Sequence, residues 1–221
     1  MEESARLKPE PKAAPDLPSV LPLFPLSGVL LLPRGHLPLN VFEPRYIAMV
    51  DDALKHSRMI GMIQPRNPDS PADLFRTGCA GRITSFAETE DGRYLITLTG
   101  LCRFAVTEEL PPQNGYRRAR VDGGAYRNDF KPVECLDIDR RELRAMLKEY
   151  FTLQDMSCDW EAIDNAPDER LITCLSMICP FDAGEKQALL EAGCCRERAE
   201  KFMTMLRMAL HDREECCGGC H

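Results

Sequence analysis

The chain has 221 residues, 44% of them hydrophobic and 29% charged, which excludes a fibrous, collagenous or wholly disordered protein. Its net charge of −7 is uneven: residues 17–126 carry 12 basic and 11 acidic side chains, residues 127–221 carry 13 and 20. Neither half shows the basic surface that a nucleic-acid binder needs to displace counterions. The opening Met1-Glu2-Glu3 lacks the basic start of a signal peptide, and the longest apolar stretch, Val20 to Leu32, is broken by Pro22, Pro25, Ser27 and Gly28. The expectation is a cytoplasmic protein without a membrane segment, its 11 cysteines mostly reduced and buried.

Residues 1–16 mix proline, alanine and charge, and read as a flexible lead-in. From Val20 to Val41, Pro22, Pro25, Pro33 and Pro38 break the apolar run into short strands and turns, because proline stops helices and is confined to strand edges. The spacing of Tyr46, Met49, Val50 and Ala53/Leu54 predicts a helix after Pro44. Met59–Ile63 reads as a short strand, and Pro65 to Asp73, with three prolines, as a surface loop. Ile83 to Phe86 and Tyr94 to Leu98 flank Asp91-Gly92, which predicts a hairpin on a type I′ turn with positive φ at both central residues. Gly100 marks a bulge or bend before Cys102, Phe104 and Val106, and Arg117 to Val121 is one more strand. About six short strands with one helix predict a small, strongly bent sheet or barrel over 17–126.

After about Lys131 the apolar period changes from two to 3.6. Capping boxes at Asp139/Glu142 and Asp182/Glu185 start helices carrying Leu143, Met146, Leu147 and Leu189, Leu190. Shorter helices are expected around Trp160–Ile163 and Leu171–Ile178, and a last one around Ala199–Leu210. The fold class is α+β, a β domain over 17–126 followed by a helical bundle over 127–211 and a Cys-rich tail over 212–221.

No glycine precedes a lysine, so a Walker A loop is absent, as are Gly-x-Gly-x-x-Gly, Gly-x-Ser-x-Gly and His-Glu-x-x-His. No catalytic residue, metal ligand or cofactor is assigned, and an enzyme is not expected. Cys217-x-x-Cys220 with His221 leaves a zinc or thiol role as an alternative to a plain thiol-rich tail.

Recognition comes from Leu21-Pro-Leu-Phe-Pro-Leu26, Val29-Leu-Leu-Leu-Pro33 and Leu37-Pro-Leu-Asn-Val-Phe-Glu-Pro-Arg-Tyr46. Ile60-Gly-Met-Ile63, Thr77-Gly78-Cys-Ala-Gly81-Arg-Ile83 and Leu98-Thr-Gly100-Leu-Cys-Arg103-Phe104 follow in order. This set resembles the N-terminal, substrate-recognition domain of the Lon protease family, and Cys179 to Ala192 resembles its stand-alone bacterial members. The resemblance implies a PUA-like β pseudo-barrel followed by a helical bundle. It implies binding of unfolded polypeptide or a partner protein, without the ATPase and Ser/Lys peptidase parts. One departure is local: the family usually has Pro-Gly after the second strand, where this chain has Pro33-Arg34-Gly35.

Candidate binding residues are Leu30, Phe42, Arg45 and Arg103. Proline at the first helical turn, Glu43 at the positive helix start and Tyr46 on the sheet also have a purely architectural reading. Arg103 is either a solvated strand residue or an anchor for a peptide carboxylate. Exposed apolar segments would bind an apolar groove or a free sheet edge. The alternative partner is RNA, since PUA-like folds elsewhere bind it, but the +1 balance of residues 17–126 argues for no nucleic acid.

Overall fold

The computed structural model describes residues 17–67, 70–131, 136 and 138–217. The lead-in over 1–16 lies outside them, as do the side chains past His211 and with them the Cys217/Cys220 pair.

Eight strands form among the described residues. They are β1 (Val20–Pro25), β2 (His36–Val41), β3 (Met59–Ile63), β4 (Pro65–Asn67), β5 (Ser70–Leu74), β6 (Thr77–Glu88), β7 (Tyr94–Gln113) and β8 (Tyr116–Asp122). Helix α1 (Pro44–Lys55) falls between β2 and β3. The main sheet runs β2-β7-β6-β3-β1-β8, and β8 returns to pair with β7. Five strands therefore close into a ring, which removes most free edges. Only β1 and β3 run parallel, because α1 lies between them in the chain and carries it back.

Three local expectations change. Residues 65–74 are not a loop: β4 and β5 pair as a separate hairpin despite the prolines. Val29–Leu32 forms no strand, although Leu30, Leu31 and Leu32 are buried. The β6–β7 turn is not type I′, since only Gly92 has positive φ (77°). Gly92 N donates to Thr89 O (2.9 Å) and Thr89 N to Arg93 O (2.9 Å), so three residues close the hairpin with glycine in the left-handed position. The two-residue turn with both φ positive sits instead between β7 and β8, at Asn114 (φ 48) and Gly115 (φ 84).

Glycines in the β half make room. The fully buried Phe104 ring lies over Gly61 and Gly78, where an added Cβ would come within 2.9 and 2.5 Å of its Cζ. The bulge at Gly100 is real: Gly81 pairs with Gly100 but Ala80 with Cys102, leaving Leu101 unpaired. There the Leu32–Gly35 turn docks on β7, with Arg34 N donating to Gly100 O (2.8 Å) and Gly100 N to Gly35 O (2.9 Å). Arg34 itself adopts φ 65, so the position where the family pattern puts glycine needs left-handed backbone here too. Its guanidinium ties down that turn by pairing with Glu169 and donating to the Asp129 carbonyl (3.1 Å).

A 3-10 helix (Gly124–Phe130) leads into α2 (Arg140–Leu153), α3 (Trp160–Asn165), α4 (Asp168–Ile178), α5 (Ala183–Glu191) and α6 (Cys195–Cys217). The α5 capping box is complete: Glu185 N donates to Asp182 Oδ1 (2.7 Å) and Asp182 N to Glu185 Oε2 (2.8 Å). At α2 only half forms. Asp139 accepts from the Arg141 and Glu142 amides, but the Glu142 carboxylate pairs with Arg207 of α6 (2.7 Å). Helix α6 packs on α2, α4 and α5, and α5 rests on β6.

One apolar cluster crosses the whole molecule, joining Phe24, Val41, Met49 and Ile96 to Leu147, Phe181, Phe202 and Leu206. A smaller one, including Leu21, Leu23, Ile63 and Phe104, fills the ring. Burial pushes the Cys102 thiol up to about 11 and Cys179 up to about 12. Both therefore stay protonated and act as small apolar groups.

Candidate functional site

The Phe42-Glu-Pro-Arg-Tyr46 block is the joint between β2 and α1. Pro44 takes the first helical position, where its missing N–H costs nothing, and Glu43 is the N-cap residue without a side-chain cap bond. The Glu43 carboxylate pairs instead with Arg45 (2.7 Å), whose guanidinium lies 4.6 Å from the centre of the Tyr46 ring. Tyr46 is buried against Phe24, ring centres 4.3 Å apart, and burial raises its pKa. Phe42 points outward, 64% exposed, and Arg45 is exposed beside it in the chain.

Past the ring, the ends of β6, β7 and β2 continue as a three-stranded arm. Asn40 pairs with Leu95 and Val41 with Tyr94, while on the other side Leu95 pairs with Ala87 and Tyr94 with Glu88. Continuing the alternation past Val41 puts Phe42 on the same face as Leu95, which is 45% exposed. Arg93 stacks its guanidinium 6.0 Å from the Phe42 ring centre. On the opposite face Phe86, 42% exposed, meets Tyr94 edge-on at 4.9 Å, and Tyr94 donates its hydroxyl to Asp51 of α1 (3.0 Å). Three of the five large exposed apolar residues among the described ones thus collect at this end of the sheet.

Among the described residues strand β2 has a neighbour on one side only, so its outer edge pairs with none of them. Pro38 in the middle of β2 supplies no N–H, which blunts that edge against an added strand.

Helix α1 is held beneath the arm from a second direction. Asp52 accepts from Tyr116 Oη (2.9 Å), Asn114 Nδ2 (3.0 Å) and Gln113 Nε2 (3.2 Å), all at the β7–β8 turn. Foremost the Tyr116 hydrogen bond, then those of Asn114 and Gln113, hold its carboxyl below the usual carboxylate range, and burial together with this bond pushes Tyr116 up to about 12. A folded pKa below the unfolded one gives stability that is present above the unfolded value near 4 and fades as pH falls through the folded value. Asp52→Asn is therefore expected to cost about 1–3 kcal/mol at pH 7. In urea unfolding curves taken down the pH scale, the gap between the two proteins should close on acidification. A gap that stays constant to pH 2 would refute the charge-based account.

The other two candidates lie inside. Leu30 is a fully enclosed core residue beside Leu31 and Leu32. Arg103 is 3% exposed, and its reading as a solvated or peptide-contacting strand residue gives way to an internal tie. It pairs with Asp129 of the 3-10 helix (Nη2–Oδ1 2.7 Å), stacks 4.9 Å from the Tyr126 ring centre, and donates to the carbonyls of Leu190 (3.1 Å) and Ala192 after α5. Leu30 is out of reach of a docked chain unless the core opens. Phe42 and Arg45 are brought together at the surface, whereas Leu95, Arg93 and Phe86 are additional surface residues that the sequence pattern placed only on strands. Their strand-end position beside an exposed Phe was the available signal.

Among the described residues no group of three or more His, Cys, Asp or Glu side chains is arranged for a metal. No helix among them is long and apolar enough to cross a membrane.

Comparison with known proteins gives one consistent result. The family model described as the ATP-dependent protease La (LON) substrate-binding domain matches residues 20–208. A Lon protease of Anaeromyxobacter dehalogenans is 32% identical over 134 residues, 58% of this chain and 16% of that protein. A Lon protease of Dictyoglomus thermophilum is 28% identical over 211 residues, 88% of this chain and 25% of that protein. The chain thus spans a quarter or less of these relatives. The crystal structure of a Lon N-terminal domain protein from Xanthomonas campestris superposes with a TM-score of 0.59 at 25% identity, covering 84% of this chain and 97% of that one. The N-terminal domain of Mycobacterium avium complex Lon protease shares the fold at 14% identity, also with a TM-score of 0.59.

Proposed function

The chain belongs to the family of Lon substrate-binding domains, and from that premise we propose that it binds exposed apolar segments of polypeptide without catalysing their cleavage. The observation that carries this reading is the arm bearing Phe42 and Leu95 on one face and Phe86 on the other. Large apolar side chains held on a rigid sheet, with little rotamer freedom to lose, are good anchors for an extended partner. The stacked Arg93 and the Glu43–Arg45 pair give a polar rim. An exposed ion pair is worth only about 0–1 kcal/mol, so Arg45 exchanges Glu43 for a partner's carboxylate or carbonyl at small cost.

Side-chain docking is favoured over strand addition because of Pro38 in the free edge. No surface in this reading calls for nucleic acid, a membrane or a cofactor, and the cytoplasm is the compartment that suits its thiols.

The test is fluorescence anisotropy of a labelled, permanently unfolded polypeptide titrated with the purified chain, with a folded control and a salt series. Binding to the unfolded probe alone, weakly dependent on salt, is the expected outcome. Phe42→Ser and Leu95→Ser should each weaken it about tenfold, with the unfolding midpoint unchanged for Phe42→Ser, whose side chain is 64% exposed, and lowered only slightly for Leu95→Ser, which is 45% exposed. Absence of binding at high protein concentration would remove the unfolded-chain reading. Full affinity in both variants would move the site off this arm.

A further inference from the structure

A second site lies far from the arm, where the β half meets the helices. A cleft of about 330 Å³ opens between the Pro33–Arg34 turn, the end of the 3-10 helix at Asp129 and Lys131, and the start of α6 at Gly193–Arg198. Its lining carries five cations, Arg34, Arg103, Lys131, Arg196 and Arg198, against the carboxylates of Asp129 and Glu169. Those two carboxylates are taken: Asp129 by Arg103 and Glu169 by Arg34. Three positive charges stay without an ion pair to any described residue.

Arg198 is the decisive one. It is only 6% exposed, and its Nε donates to the Leu189 carbonyl (3.0 Å). Its two terminal nitrogens bond to no described residue, yet they are not among the sealed, unsatisfied polar atoms, which are Gln64 Oε1 and Ser176 Oγ. They therefore open onto the cleft. A buried guanidinium with unused donors is costly to keep unless an anion meets it. The same wall holds the N-terminus of the 23-residue α6, where the Cys195 and Arg196 amides have no acceptor among the described residues. The nearby Glu197 carboxylate is engaged by the Gly193 amide (2.7 Å) and Lys201 (3.2 Å). Burial raises the pKa of the Cys195 thiol, so the wall offers donors rather than a reactive thiolate.

We propose that this cleft binds a phosphate group, with Arg198 as the buried anchor and Arg196, Lys131 and the first amides of α6 as the outer donors. Three unpaired cations suit a dianion better than a single carboxylate. The cleft exceeds the size of free phosphate, leaving space for the chain of a phosphorylated residue. The site stands independently of apolar-segment binding at the arm.

Thermal unfolding of the full chain in inorganic phosphate, against chloride at equal ionic strength, is the first measurement. Phosphate alone should raise the midpoint, by about 5 °C at a hundredfold excess over its dissociation constant. Lys131→Ala combined with Arg196→Ala, both surface changes, should weaken the effect at least tenfold, and Arg198→Gln should abolish it. If Arg198→Gln does not fold, the double variant carries the decision. A phosphoserine peptide binding more tightly than inorganic phosphate would identify a phosphorylated chain as the source, and the reverse order would identify free phosphate. Equal effects of phosphate and chloride, unchanged binding in the variants, or equal binding of acetate would each overturn the assignment.

Discussion

Arg103→Ala is expected to remove about 3–5 kcal/mol of stability, a third or more of what a domain of this kind possesses. The substitution leaves the Asp129 carboxylate charged and enclosed, and strips the carbonyls of Leu190 and Ala192 of their donor. It also removes the cation facing the Tyr126 ring. Urea unfolding would show a much lower midpoint or a chain that no longer folds. Arg103→Ala with Asp129→Ala should recover part of the loss, because the double change leaves no orphaned charge. A single-variant cost below 1 kcal/mol, or a double variant no better than the single, would mean that the pair does not hold the halves together.

Gly100→Ala should be nearly as damaging for a different reason. A Cβ at this position would stand 2.0 Å from the Leu32 carbonyl oxygen and 2.8 Å from its carbon. Both atoms are backbone, so no rotamer change relieves the clash, and the Leu32–Gly35 turn must lift off β7. The hydrogen bonds from Arg34 N to Gly100 O and from Gly100 N to Gly35 O go with it. The expected cost is about 3 kcal/mol. Gly92→Ala is the internal control: open space surrounds it, but φ is +77, so only the backbone penalty of about 1–2 kcal/mol applies. Chemical denaturation of the two variants side by side should rank them in that order, and the opposite ranking would discard the steric argument.

The difference between what the chain announces and what it conceals follows from the range of each interaction. Helix α1 is announced by Pro44 and the spacing of Tyr46, Met49 and Val50, all within one element. The same holds for Asp182 and Glu185, three residues apart. The half-formed box at Asp139 shows the limit, since Glu142 is diverted by Arg207, 65 residues away. Strand β7 was hard to see at its full 20 residues because the Leu101 bulge and Pro111-Pro112 interrupt its alternation. The Asn114-Gly115 turn that ends it was a local signal and stood open to reading. Arg103 read as a surface residue because strand alternation says nothing of Asp129 and of helix ends some 90 residues on. Leu30 belongs to an apolar run whose depth no periodicity reports. The phosphate cleft, drawn from residues 34, 131 and 196–198, has no one-dimensional signature at all.

The apolar cluster that joins Phe24 and Val41 to Phe202 and Leu206 also bears on how the chain comes off the ribosome. When the strands through Asp122 have emerged, the small cluster around Phe104 can close and α1 can pack on β1, β3 and β8. The share of the larger cluster that the later helices supply, Leu147, Phe181, Phe202 and Leu206 among it, is incomplete until α6 has been made. At about 5–20 residues per second, the roughly 85 residues from Asp122 to Leu206 take several seconds to translate. For that interval the nascent β half is itself an unfinished apolar surface, open to non-native contacts until the helices complete the cluster.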